Sequence, residues 1–596
     1  MKLISVKILG ENFRSLSSNK LYKFNHAISD EKKLSTKIFA GLNGSGKSNF
    51  LELFSEIFYF LEVCHLDTVS STERANKGFG FEIEYLLPKT VIGLELLFEK
   101  DLTEVKEDYI NSNLSLTKFT RKKFEKAYSS QINELRRIEV EKLIKTFIKE
   151  EFIHVRIEKA LDGVPTYYLV SQDGKKTPRQ LHSKTQEALP TKVIAYTSGQ
   201  NELLSNPYHK LKYHYFRTFE DRKNHGYGEK LADSHRLFFL DYNTNFSIFV
   251  ANVLIANKEK TKILKEALKI NDLQSFRITI NTDELYKKVI PVNEKLATDL
   301  RKLKLCATSW IEKKIDDNRL LVMDFTINDA TKEAFEFHFH NAFDLFKVFY
   351  ELEIFNLYLV EKKTRDLLLQ VHKSYNFSDE LSKPDPSRLV FRIEKIFIRK
   401  SMDNDFPFKN IYYKALSDGE HQFNEVIGTI LMMEQEGCLF LIDEPDTHFN
   451  PKWRAKLIKM FNQMAAVAYD AKGNITKVRK QEIIITTHSP FVISDSSKED
   501  VYRFSKVNGI IDYSNPIEQT YGASIAVILD EIFDKGETIS YMAKKELDEM
   551  LDNVDDVGEL REIIQKLNLN FGDSVEKFDL FSKIKNIRNK IEKMKK

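Results

Sequence analysis

The chain has 596 residues, of which 42% are hydrophobic and 30% charged, with 44 Phe and 24 Tyr; this is the composition of a packed, helix-rich protein and excludes a disordered one. The length exceeds what a single core usually organises, so one principal domain with at least one substantial insertion or appendage is expected. A formal net charge of +3 gives no global argument for nucleic-acid binding. Cys64, Cys306 and Cys438 stand far apart without a CxxC pair, which argues against a disulfide framework or thiolate zinc site and fits a reducing, cytoplasmic setting. No run approaches the roughly 20 apolar residues of a membrane helix, so no membrane contact is expected.

Ser35 to Ala40 reads as a strand running into GLNGSGKS (Gly41 to Ser48), after which Phe50, Leu51, Phe54, Ile57, Phe58 and Leu61 recur with helical spacing. Phe79, Phe81, Ile83 and Tyr85 alternate with polar or small residues, as do Leu94, Leu96 and Phe98 with theirs, which predicts an antiparallel β subdomain within residues 1–100. Residues 101–190 are charged and mostly helical in pattern, an insertion that closes when 191–214 return to the head through LPTKVIAYTSGQNE. Residues 215–400 predict a second helical insertion, globular because no heptads are sustained. Residues 401–525 hold the apolar runs CLFLI before Asp443 and IIITT before His488, which suit buried parallel strands. Residues 526–596 predict a helical region with an acidic stretch, Asp552 to Asp556, and a basic tail of Lys583, Lys585, Arg588, Lys590, Lys593, Lys595 and Lys596. A second basic cluster is Arg121, Lys122, Lys123 and Lys126; both clusters are read first as solvated faces. The fold class is α/β, a mostly parallel sheet with an antiparallel β subdomain and large helical insertions.

GLNGSGKS fits G-x-x-x-x-G-K-S/T between a strand and a helix, the context that gives the motif meaning. Asn43, Gly44, Ser45, Gly46, Lys47, Ser48 and Asn49 would wrap phosphates with backbone N–H groups, Lys47 adding charge and Ser48 a hydroxyl for Mg²⁺. LFLIDEP ends a buried strand in Asp443, expected to hold Mg²⁺, and Glu444, expected as general base or water-positioning group. ALSDGE places Ser417 and Gly419 at a helix start, where they could offer a hydroxyl and N–H groups to a phosphate; alone, S-D-G-E is an ordinary helix cap. His488 ends the next core strand and is expected near the γ-phosphate. Gln200 in YTSGQNE stands after a strand, where it could touch the nucleotide site or be a turn glutamine bonded to backbone.

In their order along the chain, these motifs resemble the ABC ATPase superfamily, in the soluble branch with RecF, SMC and OLD proteins, and the likeness covers a discontinuous P-loop NTPase head. FRSL (Phe13 to Leu16), DEPDTHFNPKW (Asp443 to Trp453) and QTYGASIAVILDEIF (Gln519 to Phe533) resemble AAA-labelled ATPases found beside restriction systems and the Septu PtuA type of anti-phage defence. The resemblance implies binding and hydrolysis of ATP with Mg²⁺ in a homodimer, or a higher oligomer. Lys47, Ser48, Asp443, Glu444, His488 and Gln200 would act in cis, with Ser417 and Gly419 reaching the partner's nucleotide. It further implies a separate nuclease subunit of HNH type, while the alternatives are a DNA clamp of RecF or SMC kind and an OLD-like ATPase with a cryptic nuclease. Asn450 stands where transporter ATPases carry an aspartate, which points away from transport. The roughly 100 residues after His488 show no strand leading to a Glu-Gly pair or a later D-x-D, so no Toprim nuclease is expected there.

Overall fold

The computed structural model describes residues 1–24, 32–66, 79–88, 99–114, 120–149, 151–171, 178–181, 186–199, 201–225, 235–283, 285, 294–315, 318–365, 385, 388–401, 408–536, 538–551, 554 and 557–594. The alternating Leu94, Leu96 and Phe98, residue Gln200, and the acidic stretch apart from Val554 lie outside the described residues.

Seven strands form the central sheet in the order Leu237–Leu240, Val193–Thr197, Leu439–Asp443, Glu482–Thr487, Ser35–Gly41, Val501–Val507, Ile510–Ser514. The first six run parallel and the last returns antiparallel. Strands covered on both faces need apolar residues at every position, and these have them. Ile38, Ile194, Phe440, Ile442, Ile483 and Ile485 enter one core, whereas Phe39, Val193, Leu439, Leu441, Ile484 and Phe504 enter the core on the opposite face.

On that opposite face the Lys47–Cys64 helix lies between the central sheet and a twisted antiparallel sheet built on Lys2–Gly10, Phe79–Pro88, Phe152–Lys159 and Thr166–Val170. Glu482, fully buried, joins the two sheets: it accepts from Leu3 N at 2.6 Å and Ser35 Oγ at 3.1 Å, and pairs with Lys37 Nζ at 3.2 Å.

The expected helical insertion over 101–190 needs correction. Helices end at Phe147, and Phe152–Lys159, Thr166–Val170 and Arg179–Gln180 belong to the antiparallel sheet. Charge conceals the strand pattern: buried Ile153, Val155 and Ile157 alternate with His154 and Arg156, which pair across strands with Glu84 at 3.0 Å and Glu82 at 3.0 Å.

The second insertion, 215–400, is likewise not all helical. Leu237–Leu240 is an edge strand of the central sheet, and a five-stranded antiparallel sheet runs in the order Ser309–Ile315, Asn318–Thr326, Ile270–Asn281, Phe391–Ser401, Phe408–Tyr412. Its inner face buries Phe276, Ile278, Met323 and Phe325 in the main core. On its outer face Arg277 holds Asp324 with two bonds, at 2.7 and 2.8 Å, so charges again occupy the polar face of a strand pair.

Beyond residue 524 the chain is helical, and Leu547, Leu560, Leu567, Leu580 and Ile584 make a small core of their own. Of the basic clusters, Arg121 pairs with Glu107 and Glu125, and Lys583 with Asp579. Among the described residues no helix is long and apolar enough to cross a membrane.

One buried cation holds the elements behind the Leu439–Asp443 strand. Arg479 donates to the carbonyls of Met433 at 2.7 Å, Ile430 at 2.7 Å and Met464 at 2.6 Å, and so joins two helix C-termini. Arg479→Met fills the volume but takes the donor from the Ile430 carbonyl, while the Met433 carbonyl keeps Gln481 Nε2 at 2.7 Å and the Met464 carbonyl keeps Lys260 Nζ at 2.9 Å; urea unfolding should show a loss of about 1–3 kcal/mol. An unchanged midpoint would refute this role.

Candidate functional site

The site lies at the C-terminal ends of the parallel strands, where their carboxyl edge meets the loop before the Lys47–Cys64 helix. Ser35–Gly41 delivers the chain into that loop, and Gly41, at φ 141°, lies against the Phe504 carbonyl so closely that a Cβ there would overlap backbone. Gly46 precedes the helix without a side-chain cap, which leaves the first-turn N–H groups oriented for an anion. Asn43 and Gly44 stand exposed at the loop tip, Asn49 is half-buried in the first turn, and the buried Ser45 Oγ has no partner.

Lys47 is buried and spends two of its three hydrogens on the carbonyls of Gly41 and Leu42, each at 3.0 Å. Burial lowers its pKa to about 8, against the opposing pull of Glu444 and Asp443. An ammonium held there between carbonyls and carboxylates gains charge stabilisation when a phosphate arrives.

Asp443 is the hub. In register it lies opposite Thr197 on one side and Thr486 on the other. Ser48 Oγ donates to Oδ1 at 2.9 Å and Thr486 Oγ1 to the same oxygen at 2.6 Å; Thr197 Oγ1 reaches Oδ2 at 3.4 Å and Asn201 Nδ2 at 3.2 Å. A carboxylate and a serine hydroxyl in contact beside a phosphate loop form a hard oxygen pair suited to Mg²⁺, which keeps several waters and takes the rest of its ligands from phosphate. The unpartnered Ser45 hydroxyl and uncapped helix start fit the triphosphate, so these residues fit both groups.

Glu444 follows directly but faces different surroundings. Its φ of 50° is left-handed, rare for a non-glycine residue, and its N–H is held by Thr486 through Oγ1 at 3.0 Å and the carbonyl at 3.2 Å. The turn separates its carboxylate from Asp443 and sets it 3.4 Å from His488 Nε2. The hydrogen bond from His488 lowers its pKa, outweighing burial, so Glu444 is ionised at neutral pH.

Lys47, Ser48, Asp443, Glu444 and His488 are thus gathered in one place. Ser417 and Gly419 bond elsewhere: Ser417 caps the Asp418–Phe423 helix in a reciprocal box with Glu420, itself paired with Lys400. Gly419 packs on the loop after Glu444, since a Cβ there would stand 2.5 Å from the His448 carbonyl, and Gln422 accepts from His448 N at 3.0 Å. Asn450 caps the next short helix, accepting from Trp453 N at 2.9 Å. Gln200 lies outside the described residues; its neighbour Asn201, to which the sequence assigned nothing, is the residue that reaches Asp443. The only sequence signal for Asn201 is its place just after a strand that pairs with LFLID.

Residues 272–494 match the model of the AAA_21 family, described as "AAA domain, putative AbiEii toxin, Type IV TA system". The match takes in Ser417, Asp443, Glu444 and His488 and leaves the phosphate loop outside it. Protein ea59 of Escherichia phage lambda is 23% identical over 184 residues, 29% of this chain; the chain spans about a third (33%) of that relative's length. The crystal structure of an Smc head domain with a coiled coil and joint from Pyrococcus yayanosii is similar over 86% of this chain and 97% of its own, at 12% identity and a TM-score of 0.26. Strand order and the phosphate loop between Ser35–Gly41 and the Lys47–Cys64 helix make the fold an α/β P-loop NTPase.

The contact at Gly419 is testable. Gly419→Ala should push the helix from the His448 backbone and cost about 1–3 kcal/mol in urea unfolding, as overpacking does. The exposed neighbour change Asp418→Asn should stay within about 0.5 kcal/mol. Equal, small effects at both positions would remove the close approach.

Proposed function

We propose that this protein is an ATPase of ABC type that closes as a homodimer around Mg·ATP and controls a separate nuclease, of HNH type, in a toxin or anti-phage defence system of the cytoplasm. One observation carries the ATPase reading: Lys47 and Ser48 of the phosphate loop meet Asp443, Glu444 and His488 across the ends of two other strands. In this reading Ser48 and Asp443 hold the metal ion, which offsets phosphate charge. Lys47 binds the β- and γ-phosphates, and Glu444, ionised and oriented by His488, positions or deprotonates the attacking water. The toxin-system description of the matched family supports the defence setting. Ser417, exposed and already part of a capping box, can face a second copy without rearranging its own helix. A DNA clamp is less favoured, because Arg121 of the basic cluster is already paired within the chain.

Glu444→Gln should retain ATP binding, lose at least about 100-fold in turnover, and accumulate an ATP-bound dimer by size-exclusion chromatography. Undiminished phosphate release by this variant would sink the ATPase assignment. Lys47→Ala should weaken nucleotide binding itself, and Ser417→Arg should spare binding while blocking hydrolysis. The control of a nuclease is checked by co-purification with the product of the adjoining gene, and a partner without nuclease activity would refute that part alone.

A further inference from the structure

The pair formed by Glu444 and His488 is held from behind by a residue with no role in the mechanism above. The ladder between Leu439–Asp443 and Glu482–Thr487 ends where Asp443 lies opposite Thr486, and Glu444 leaves it through its left-handed turn. Thr487 closes its strand in register with Ala40 on the side of the phosphate loop, while on the side of Asp443 the ladder stops one residue short of it. Its side chain takes over there. Thr487 Oγ1 donates to Asp446 Oδ1 at 3.0 Å and accepts from Ser489 N at 3.0 Å. The two residues that flank His488 are thus joined through one hydroxyl, and that hydroxyl is tied to Asp446.

These contacts close a ring. From Glu444 the chain runs through Pro445 to Asp446, crosses by hydrogen bond to Thr487, continues to His488 and returns by the 3.4 Å contact of His488 Nε2 with Glu444 Oε1. The ring of Phe533, 6.0 Å away between centres, packs beside the imidazole. Asp446 is only 5% exposed, and Arg454 Nε stands 4.0 Å from its Oδ2, the outer limit of an ion pair. Burial raises its pKa. A carboxylate buried with so distant a countercharge is a poor source of stability, and what it supplies is direction.

We propose that Asp446 is a positioning residue for hydrolysis: through the Thr487 hydroxyl it fixes the backbone on both sides of His488 and so sets the imidazole against Glu444. Without the Asp446 carboxylate, the Thr487 hydroxyl loses the acceptor that orients it. The strand end that carries His488 then loses its side-chain tie to the loop after Glu444. The separation of imidazole and carboxylate is no longer held from behind, and the carboxylate that positions the attacking water loses its fixed partner. A misplacement of about 1 Å in such a constellation can cost about 100-fold in rate.

This role rests on the nucleotide reading, and the test separates the two. ATP hydrolysis by the full chain is measured as kcat per binding site, with sites counted by titration of a fluorescent non-hydrolysable ATP analogue, so misfolded molecules drop out of the result. Asp446→Ala should lower kcat about 10-fold while the affinity for the analogue stays that of wild type. Asp446→Asn, whose side-chain carbonyl still accepts from Thr487, should recover most of the loss. Thr487→Val should fall with Asp446→Ala, and Thr487→Ser, which keeps the hydroxyl, should stay near wild type. Because the effect passes through His488, adding Asp446→Ala to His488→Ala should lower kcat no further than His488→Ala alone; a merely structural residue would lower both backgrounds alike. A wild type that neither binds the analogue nor hydrolyses ATP would defeat the nucleotide reading, and this role with it. In a wild type that hydrolyses ATP, a normal kcat for Asp446→Ala, an Asp446→Asn as impaired as Asp446→Ala, or losses that multiply with His488→Ala would each overturn the positioning role alone.

Discussion

The grip on Asp443 is the constraint from which the rest of the site follows. Four donors converge on one carboxylate: Ser48 from the phosphate loop, Thr486 and Thr197 from the flanking strands, and Asn201 from the start of a helix. Each comes from a different part of the chain, and they meet only because Leu439–Asp443 lies between Val193–Thr197 and Glu482–Thr487 with all three in register at their carboxyl ends. A shift of one residue in either pairing would turn Thr197 or Thr486 to the opposite face and leave the carboxylate short of donors. The central sheet is thus the device that aims one side chain.

Adjacent carboxylates are given separate tasks by backbone geometry. Asp443 continues the strand and takes hydroxyl and amide donors, an oxygen-rich setting suited to a hard cation. Glu444 leaves it through a left-handed φ of 50° and meets an imidazole. Thr486 serves both, donating its hydroxyl to Asp443 and accepting from the Glu444 N–H, so the strained turn is held by the residue that orders the Asp443 carboxylate. Strain at Glu444 is tolerated because its neighbours over-determine it.

Much of this was legible in the sequence, for a local reason. The glycine loop, LFLID and IIITT carry their chemistry at fixed offsets from apolar runs, so Lys47, Ser48, Asp443, Glu444 and His488 could be named without knowing how the strands pair. Asn201 could not, because its contact with Asp443 depends on pairing between segments far apart in sequence. The errors in the insertions have another source. Alternation is hidden where the outward residues are charged and bonded across strands, as with Arg156 to Glu82 or Arg277 to Asp324, and a charged stretch then reads as a helical surface. LFFL, Leu237–Leu240, was too short to stand out, although it completes the central sheet.

Gly419 shows how the two halves of the site are made to answer to each other. The helix that Ser417 caps has no bond to the phosphate loop among the described residues, yet it touches the loop after Glu444 twice, through the close approach of Gly419 to the His448 carbonyl and through Gln422 to His448 N. That loop is also held from the far side, where Thr447 Oγ1 donates to the Glu444 carbonyl at 3.0 Å and Arg454 donates to Asp446 and Thr447 carbonyls at 3.0 Å each. A displacement of Glu444 therefore reaches the Ser417 helix through backbone contacts with little slack, since packed interiors transmit small shifts rather than absorb them. In a head that shares its nucleotide with a second copy, the same contacts would carry the state of one site to the surface offered to the other, with no long-range element required.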